Sequence, residues 1–277
     1  MAEATEFRAT QSTAQMLKPL ARRHEVRIRH CIGALHLDVN FVLRERWSIL
    51  FGPSGSGKTT ILRIIAGLLK PDFARIVSTI SPGTDQERNV TLMDTDAGVF
   101  LPAHKRAVRF APQQPALFPH LSVLENLKYG MHVFVRDGGD ENVRDQSIAN
   151  LLKTFRIADL ATKRPSELSG GEAQRVNLAR AVASGGGRLL MLDEPFSGLD
   201  LPLRDELMAS LLRRQEDMSR GQILSVTHDV AEAFQLGAEV IKIADGRVVA
   251  QGPVEVVLAE ERKRLLEQLN GTAGNPA

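Results

Sequence analysis

Apolar and polar positions alternate through one early stretch of the chain. Leu35, Leu37, Val39, Phe41 and Leu43 are apolar, with His36, Asp38, Asn40 and Arg44 interleaved. A period of two over this length predicts a half-buried antiparallel strand, and residues 25–30 supply a partner strand. Trp47-Ser-Ile-Leu-Phe51 differs, being a short and almost continuous apolar run that stops at a glycine. Such runs suit a strand buried on both faces of a parallel sheet. Residues 58–69 then carry helical spacing, with Gly67 and Pro71 marking the end. Residues 188–192 and 222–227 read as two more buried strands, and residues 239–244 and 247–250 flank Asp245-Gly246, a hairpin signal. Between them, residues 72–112 hold turn formers with short β-like pieces, and residues 121–163 read mostly helical with a break at Gly138-Gly139. Residues 1–23 are polar without a period and read as a loose extension. Residues 253–269 look helical and charged on one side, and 271–277 form a polar tail. Strands alternating with helices predict an α/β core, with the helical middle inserted as a subdomain.

Composition narrows the function. The chain has 277 residues, 43% hydrophobic and 25% charged, which is ordinary globular usage and excludes wholesale disorder. The net charge of +2 provides no field strong enough to hold nucleic acid by bulk charge. The single cysteine, Cys31, excludes an intramolecular disulfide and a multi-cysteine zinc site, and fits a reducing compartment. The N-terminal residues lack the apolar core of a signal peptide. No stretch reaches the roughly 18 apolar residues of a spanning helix. The most apolar stretch, residues 61–69, already contains Arg63. Contact with a membrane would therefore run through a partner.

Gly52-Pro53-Ser54-Gly55-Ser56-Gly57-Lys58-Thr59 fits the phosphate-loop pattern G-x-x-x-x-G-K-[ST]. Its glycines let the backbone curl so that several N–H groups face one point, and the following helix N-terminus adds to the anion site. Lys58 brings a point charge to the β- and γ-phosphates, Thr59 a hydroxyl for Mg²⁺, and Thr60 a contact to an inner phosphate. Farther on, Leu189-Leu-Met-Leu192 runs into Asp193-Glu194-Pro195. Strand C-termini in such sheets collect ligand groups. Asp193 is placed there to hold Mg²⁺ through water, and Glu194 to polarise an attacking water. Pro195 predicts an extended Glu194, aligned with its strand.

Leu168-Ser169-Gly170-Gly171-Glu172, followed by Ala173-Gln174-Arg175, resembles the signature sequence of ATP-binding cassette (ABC) ATPases. Ser197-Gly198-Leu199-Asp200 resembles that family's D-loop, Thr227-His228-Asp229 its switch histidine, and Gln113 ahead of Ala116-Leu-Phe-Pro-His120 its Q-loop glutamine. The resemblance covers about residues 25–252. It implies a P-loop NTPase of the ABC-ATPase fold, with a RecA-like core, an antiparallel β subdomain and an inserted α-helical subdomain at about 115–170. The ATPase domain would span 24–252, followed by a C-terminal helix and tail at 253–277 and no regulatory domain. It further implies ATP and Mg²⁺ as ligands, with Gly52 to Thr60 on the phosphates, and Thr59, Gln113 and Asp193 on the metal. Glu194 would be the general base, His228 the γ-phosphate sensor, and Lys58 a charge in catalysis. Ser169, Gly170 and Gly171 would reach the nucleotide of a second copy in a homodimer. From the residues themselves, Ser169 is a good N-cap, and a helix start of small residues exposes amides to phosphate oxygens.

Leu117-Phe-Pro-His-Leu-Ser-Val-Leu-Glu-Asn-Leu127 is similar to bacterial importers that work with a membrane permease and, indirectly, a periplasmic solute-binding protein. Leu101-Pro-Ala-His-Lys-Arg106 and Leu127-Lys-Tyr-Gly-Met131 resemble molybdate-importer ATPases, as does the short stretch between Leu35 and the phosphate loop. Sulfate, phosphonate and polyamine importers share much of this. The implied location is the cytoplasmic face of the inner membrane. The alternative is a soluble ABC ATPase acting on DNA or ribosomes. Departures from the pattern are Ala111-Pro112 before Gln113, Glu172 in place of the commoner glutamine, and no aromatic before Val39 where the family stacks adenine; His30 or Cys31 lies near there.

Overall fold

The computed structural model describes residues 22–136, 141–183, 189–217, 221–237 and 239–272. The expected loose extension up to residue 21, the Gly138-Gly139 break and the last five residues of the tail lie outside these. The elements run in the order β1 (Arg22–Ile32), β2 (Leu35–Leu43), β3 (Trp47–Phe51), α1 (Lys58–Ala66), β4 (Phe73–Ile80), β5 (Arg88–Asp94), β6 (Val99–Phe100) and β7 (Val108–Ala111). Then come α2 (Val123–Arg136), α3 (Glu141–Thr154), α4 (Gly170–Ala183), β8 (Leu189–Asp193), α5 (Leu201–Asp217), β9 (Gln222–Thr227) and α6 (Val230–Leu236). The chain closes with β10 (Glu239–Ala244), β11 (Arg247–Pro253), α7 (Val254–Val257) and α8 (Ala259–Thr272).

One eleven-stranded sheet carries two limbs, in the order β6-β5-β4-β1-β2-β11-β10-β3-β9-β8-β7. Strands β10, β3, β9, β8 and β7 pair in parallel, and β1, β2, β4, β5 and β6 pair antiparallel. The residue pattern explains the division. In β2, Leu37, Val39, Phe41 and Leu43 are buried while His36, Asp38 and Asn40 are exposed, because one face meets the core and the other meets water. Strands β3, β8 and β9 are buried at every position, so both faces need helices or a second layer over them. Alternate residues serve different cores. Trp47, Ile49 and Phe51 pack with Leu190, Leu192 and the helices α2 to α6, whereas Leu50, Met191 and Leu224 pack with α1 and the antiparallel limb. Trp47 also donates its indole N–H to Ser225 Oγ at 2.9 Å, which satisfies the one polar atom that its burial would strand.

The first strand begins at Arg22, three residues ahead of the expected one, where Arg22 pairs with Ile80 of β4. Helix α1 ends at Ala66 rather than Leu69. Gly67 has φ 77°, and its N–H and that of Leu68 fold back onto Arg63 and Ile64 carbonyls. The buried Arg106 also caps this end, donating from Nη1 to the Ile64 and Ile65 carbonyls at 2.9 and 2.7 Å and from Nε to the Leu101 carbonyl. A cation at a helix C-terminus complements the helix dipole, so Arg106 anchors the far end of the helix whose near end opens the phosphate loop.

His24 on β1 is a buried residue whose two ring nitrogens have no hydrogen-bond partner. Burial, aided by Arg22, lowers its pKa to about 4. The unfolded chain therefore binds a proton near pH 6.5 that the folded chain refuses until about pH 4. Stability is lost as pH falls through that window, by about 3 kcal/mol in full. His24→Leu should flatten the pH dependence of the melting temperature between pH 6.5 and 4.5 relative to the parent. Parallel curves would remove His24 as an acid-sensitive group.

Candidate functional site

Strand β3 is apolar to its last residue, and the chain then curls through residues 52–57 into α1. Gly55 and Gly57 have φ of 81° and 95°, a region that side chains disfavour. A β-carbon on Gly57 would come within 2.4 Å of Leu37 Cδ2, so the loop is pressed against the antiparallel limb. Helix α1 starts with no side-chain cap and no acidic residue in its first turn. Its first N–H groups are left facing the cleft, where an anion can receive them. Lys58 is buried and folds back, donating from Nζ to the carbonyls of Gly52 at 2.8 Å and Pro53 at 2.7 Å. Burial pushes its pKa below the ordinary lysine value, against the pull of Glu194 and Asp193.

The second component comes from β8. Asp193 is 1% exposed, and its Oδ1 accepts from Thr59 Oγ1 at 3.1 Å. Burial raises its pKa, the Thr59 bond lowers it, Glu194 raises it and Lys58 lowers it. Its Oδ2 is buried without a partner. An orphaned carboxylate oxygen on a residue bonded to the Thr59 hydroxyl, with an amide lining the same cleft as that hydroxyl, is a set of hard oxygen donors, and these residues fit Mg²⁺. The amide is that of Gln113, whose Nε2 donates to Glu194 Oε2 at 3.0 Å. On the other oxygen of Glu194, His228 Nδ1 lies 3.1 Å away. Glu194 thus stands between Gln113, two positions past the end of β7, and His228, the first position past β9.

Glu194 departs from the extended geometry expected of a residue before proline. Its φ is 45°, left-handed for a residue with a side chain. The reason is a turn pinned at both ends. The Glu194 N–H donates to Val226 O of β9 at 3.1 Å, and its carbonyl accepts from Ser197 N–H at 3.2 Å. These bonds outweigh the bias from Pro195 and a local strain of about 1–3 kcal/mol. The turn swings the carboxylate off the strand direction and over the cleft.

Around this centre lies a cleft of about 560 Å³, lined by Ser54, Gly55, Gly57, Lys58, Thr59, Thr60, Gln113 and Glu194. Two of its residues had no motif to announce them. Ile32 and Leu35, at the β1–β2 turn, form its apolar end. His30 and Cys31 are engaged elsewhere: His30 Nδ1 and the Cys31 N–H both meet Asp72 Oδ2, and Cys31 Sγ lies 3.2 Å from His36 Nδ1. Gln174, part of the signature run, was given no role by the sequence; its amide donates to the Pro195 carbonyl at 3.3 Å and ties α4 to the turn.

Ser169, Gly170 and Gly171 do not line this cleft; they lie at the start of α4, with Ser169 and Gly170 exposed. Ser169 N–H donates to Glu172 Oε2 at 2.7 Å and Glu172 N–H to Ser169 Oγ at 3.3 Å. This reciprocal capping box explains glutamate at position 172, and the bonds from Ser169 hold its carboxyl below the ordinary range.

Residues 36–197, more than half of the chain, match the family described as ABC transporter. The chain belongs to the ABC transporter family. It is 38% identical over 244 residues to the molybdenum import ATP-binding protein ModC of Mesorhizobium japonicum, covering 86% of this chain and 62% of that protein. It is 37% identical over 248 residues to the molybdate/tungstate import ATP-binding protein WtpC of Archaeoglobus fulgidus, covering 89% of this chain and 93% of that one. The chain spans less than two thirds of the length of the first of these relatives. Among solved structures, a dimeric post-hydrolysis state of an ATP-binding cassette bound to ADP and Pi superposes with a TM-score of 0.65 at 26% identity. It covers 83% of this chain and 98% of that one. This chain joins a parallel core to an antiparallel limb and a helical insertion.

Lys58 satisfies its charge on loop carbonyls, and an anion must draw it away from them. Inorganic phosphate should raise the melting temperature of the parent protein. Lys58→Met should weaken that protection roughly ten- to a hundredfold, the weight of one charge-assisted bond. Equal protection of both would take Lys58 out of the anion site.

Proposed function

We propose that this chain is the ATP-hydrolysing subunit of an ABC importer, acting as a homodimer at the cytoplasmic face of the membrane and driving uptake of molybdate or a related oxyanion through a permease. The observation that carries the reading is the meeting of Lys58, Thr59, Asp193, Glu194, Gln113 and His228 around one cleft that opens at a helix N-terminus. The triphosphate lies along Gly52 to Thr60, with Lys58 beside the β- and γ-oxygens. Thr59, Gln113 and Asp193 would hold Mg²⁺, which when bound supplies charge neutralisation across those oxygens. Glu194, between Gln113 and His228, takes the proton of a water that attacks the γ-phosphorus. The bond to the bridging oxygen breaks, and that oxygen leaves with ADP. Ile32 and Leu35 give the base an apolar wall in place of an aromatic one.

Support for two copies comes from Ser169, Gly170 and Gly171. Their helix start is exposed and outside the chain's own cleft, so a second molecule can bring it to the γ-phosphate. Support for a permease comes from the region after Gln113. Tyr129 is an exposed aromatic that stacks edge-on with Phe118, and Arg180 lies over the same ring. No helix among the described residues is long and apolar enough to cross a membrane. The relatives are import proteins by name, which favours this reading over action on DNA or ribosomes.

Glu194→Gln should retain ATP, lose turnover by at least about a hundredfold, and run as an ATP-dependent dimer on a sizing column. Hydrolysis at the parent rate would remove Glu194 from the mechanism. A permease should copurify from native membranes, whereas copurifying ribosomes or DNA would favour the alternative.

A further inference from the structure

Glu194 and His228 meet at the cleft but follow different strands, and an ion pair behind them joins the chain after one to the chain after the other. From Glu194 the backbone turns, with the Ser197 N–H on the Glu194 carbonyl at 3.2 Å, and runs to Asp200 at the head of α5. Asp200 accepts the Leu203 N–H on Oδ1 at 3.0 Å and the Arg204 N–H on its carbonyl at 2.9 Å. Arg204, in that first turn, donates from Nη1 to Asp229 Oδ2 at 2.9 Å. Asp229 directly follows His228 and caps α6, its Oδ1 accepting the Glu232 N–H at 3.1 Å. Its own N–H donates to Thr227 Oγ1 at 3.0 Å. His228 Nδ1 then lies 3.1 Å from Glu194 Oε1, which closes the circuit.

We propose that Arg204 is a positioning residue for hydrolysis, setting through its ion pair with Asp229 the place at which His228 meets Glu194. The inference rests on the roles given above to Glu194 and His228. The His228 side chain is 57% exposed, so packing does not fix its direction, and its backbone must. On one side that backbone is held by Thr227, the last residue of β9, which is buried and paired with Phe51. On the other side Asp229 lies past the sheet, and its side-chain bonds hold it instead. Arg204 has no competing carboxylate bond. Its Nε is buried without a hydrogen-bond partner, and Asp205 Oδ1 stands 4.0 Å from it, beyond hydrogen-bond reach. The magnitudes separate positioning from stability. The pair is partly open to water, with side chains 17% and 39% exposed, and pairs of this kind add little to the stability of a fold. A reacting group displaced by about 1 Å, in contrast, can lose about a hundredfold in rate. Removing the pair should therefore show in turnover before it shows in melting.

The test combines steady-state ATP hydrolysis, melting temperature and the ¹⁵N spectrum of labelled histidine in the parent, Arg204→Met, Arg204→Lys, Asp229→Asn and the Arg204→Met/Asp229→Asn double variant. Arg204→Met should melt within about 4 °C of the parent. Its kcat should fall about three- to tenfold, the weight of one hydrogen bond, with KM for ATP within about twofold. Asp229→Asn keeps an acceptor for the α6 cap but loses the ion pair, and should lose a similar factor. The double variant should lose no more than either, because both act through one contact. Arg204→Lys retains the charge and should recover most of the lost turnover. The His228 imidazole resonances, identified by their absence in His228→Gln, should move toward those of a free ring in Arg204→Met and stay in place in Arg204→Lys. Parent kcat in Arg204→Met and Asp229→Asn overturns the proposal, as does a loss of kcat with the His228 resonances unmoved. A loss that merely tracks falling melting temperature across the variants overturns it too. His228→Gln assayed alongside separates the two levels. Parent turnover in that variant overturns the role given to His228 and this inference with it, whereas a slow His228→Gln beside a parent-like Arg204→Met overturns this inference alone.

Discussion

The parallel backbone ladder joining β3, β9 and β8 is the constraint from which the rest of the site follows. Its register sets Phe51 opposite Thr227 and Val226 opposite Asp193. The apolar runs of three strands therefore stop at nearly one level. Immediately beyond that level come Gly52, His228 and Glu194, with Gly52 more than a hundred positions from the other two along the chain, placed side by side by strand spacing. The same ladder supplies the Val226 carbonyl that fixes the Glu194 turn. A shift of one residue would exchange the faces of β8 or β9 between the two cores and dissolve both the packing and the cleft.

Burial and strain concentrate where chemistry is expected. Asp193 is deeply buried at the end of the apolar strand β8 and Lys58 at the start of α1, and each is shifted toward its neutral form by that burial. Glu194 stands in a left-handed backbone conformation in the same few ångströms. The surrounding structure sustains this because α1 is anchored at its far end by Arg106 and the acidic turn is tied to α4 by Gln174. Rigid supports hold groups that, left to themselves, would relax toward water.

Helix α4 links the site to the surface. Its start presents Ser169 outward, and Gln174 touches the turn carrying Glu194. Farther along, Asn177 donates to the Pro112 carbonyl beside Gln113, and Arg180 donates to the Ala116 carbonyl and to Asn126. Asn126, fully buried, grips the carbonyls of Phe118, Leu121 and Ser122. Helix α4 thus carries contacts both to the chain beside Gln113, which touches Glu194, and to the loop of the half-buried Phe118, on which the exposed Tyr129 packs.

The sequence alone determined the elements and the inventory of reactive groups. The alternation in β2, the buried runs of β3, β8 and β9, the phosphate loop and the Asp193-Glu194 pair were legible because strand period, glycine content and helix spacing are local properties. Local reasoning stopped short at Glu194, whose conformation is set by a hydrogen bond to β9, and at Ala66, where Arg106 from a later segment takes the helix carbonyls. Ile32 and Leu35 could not be read as cleft residues, since aliphatic side chains at a strand turn carry no chemical mark. What only the tertiary structure decided is which groups meet and how each is charged. Proximity depends on strand register, and charge on burial, and both are properties of the folded chain as a whole.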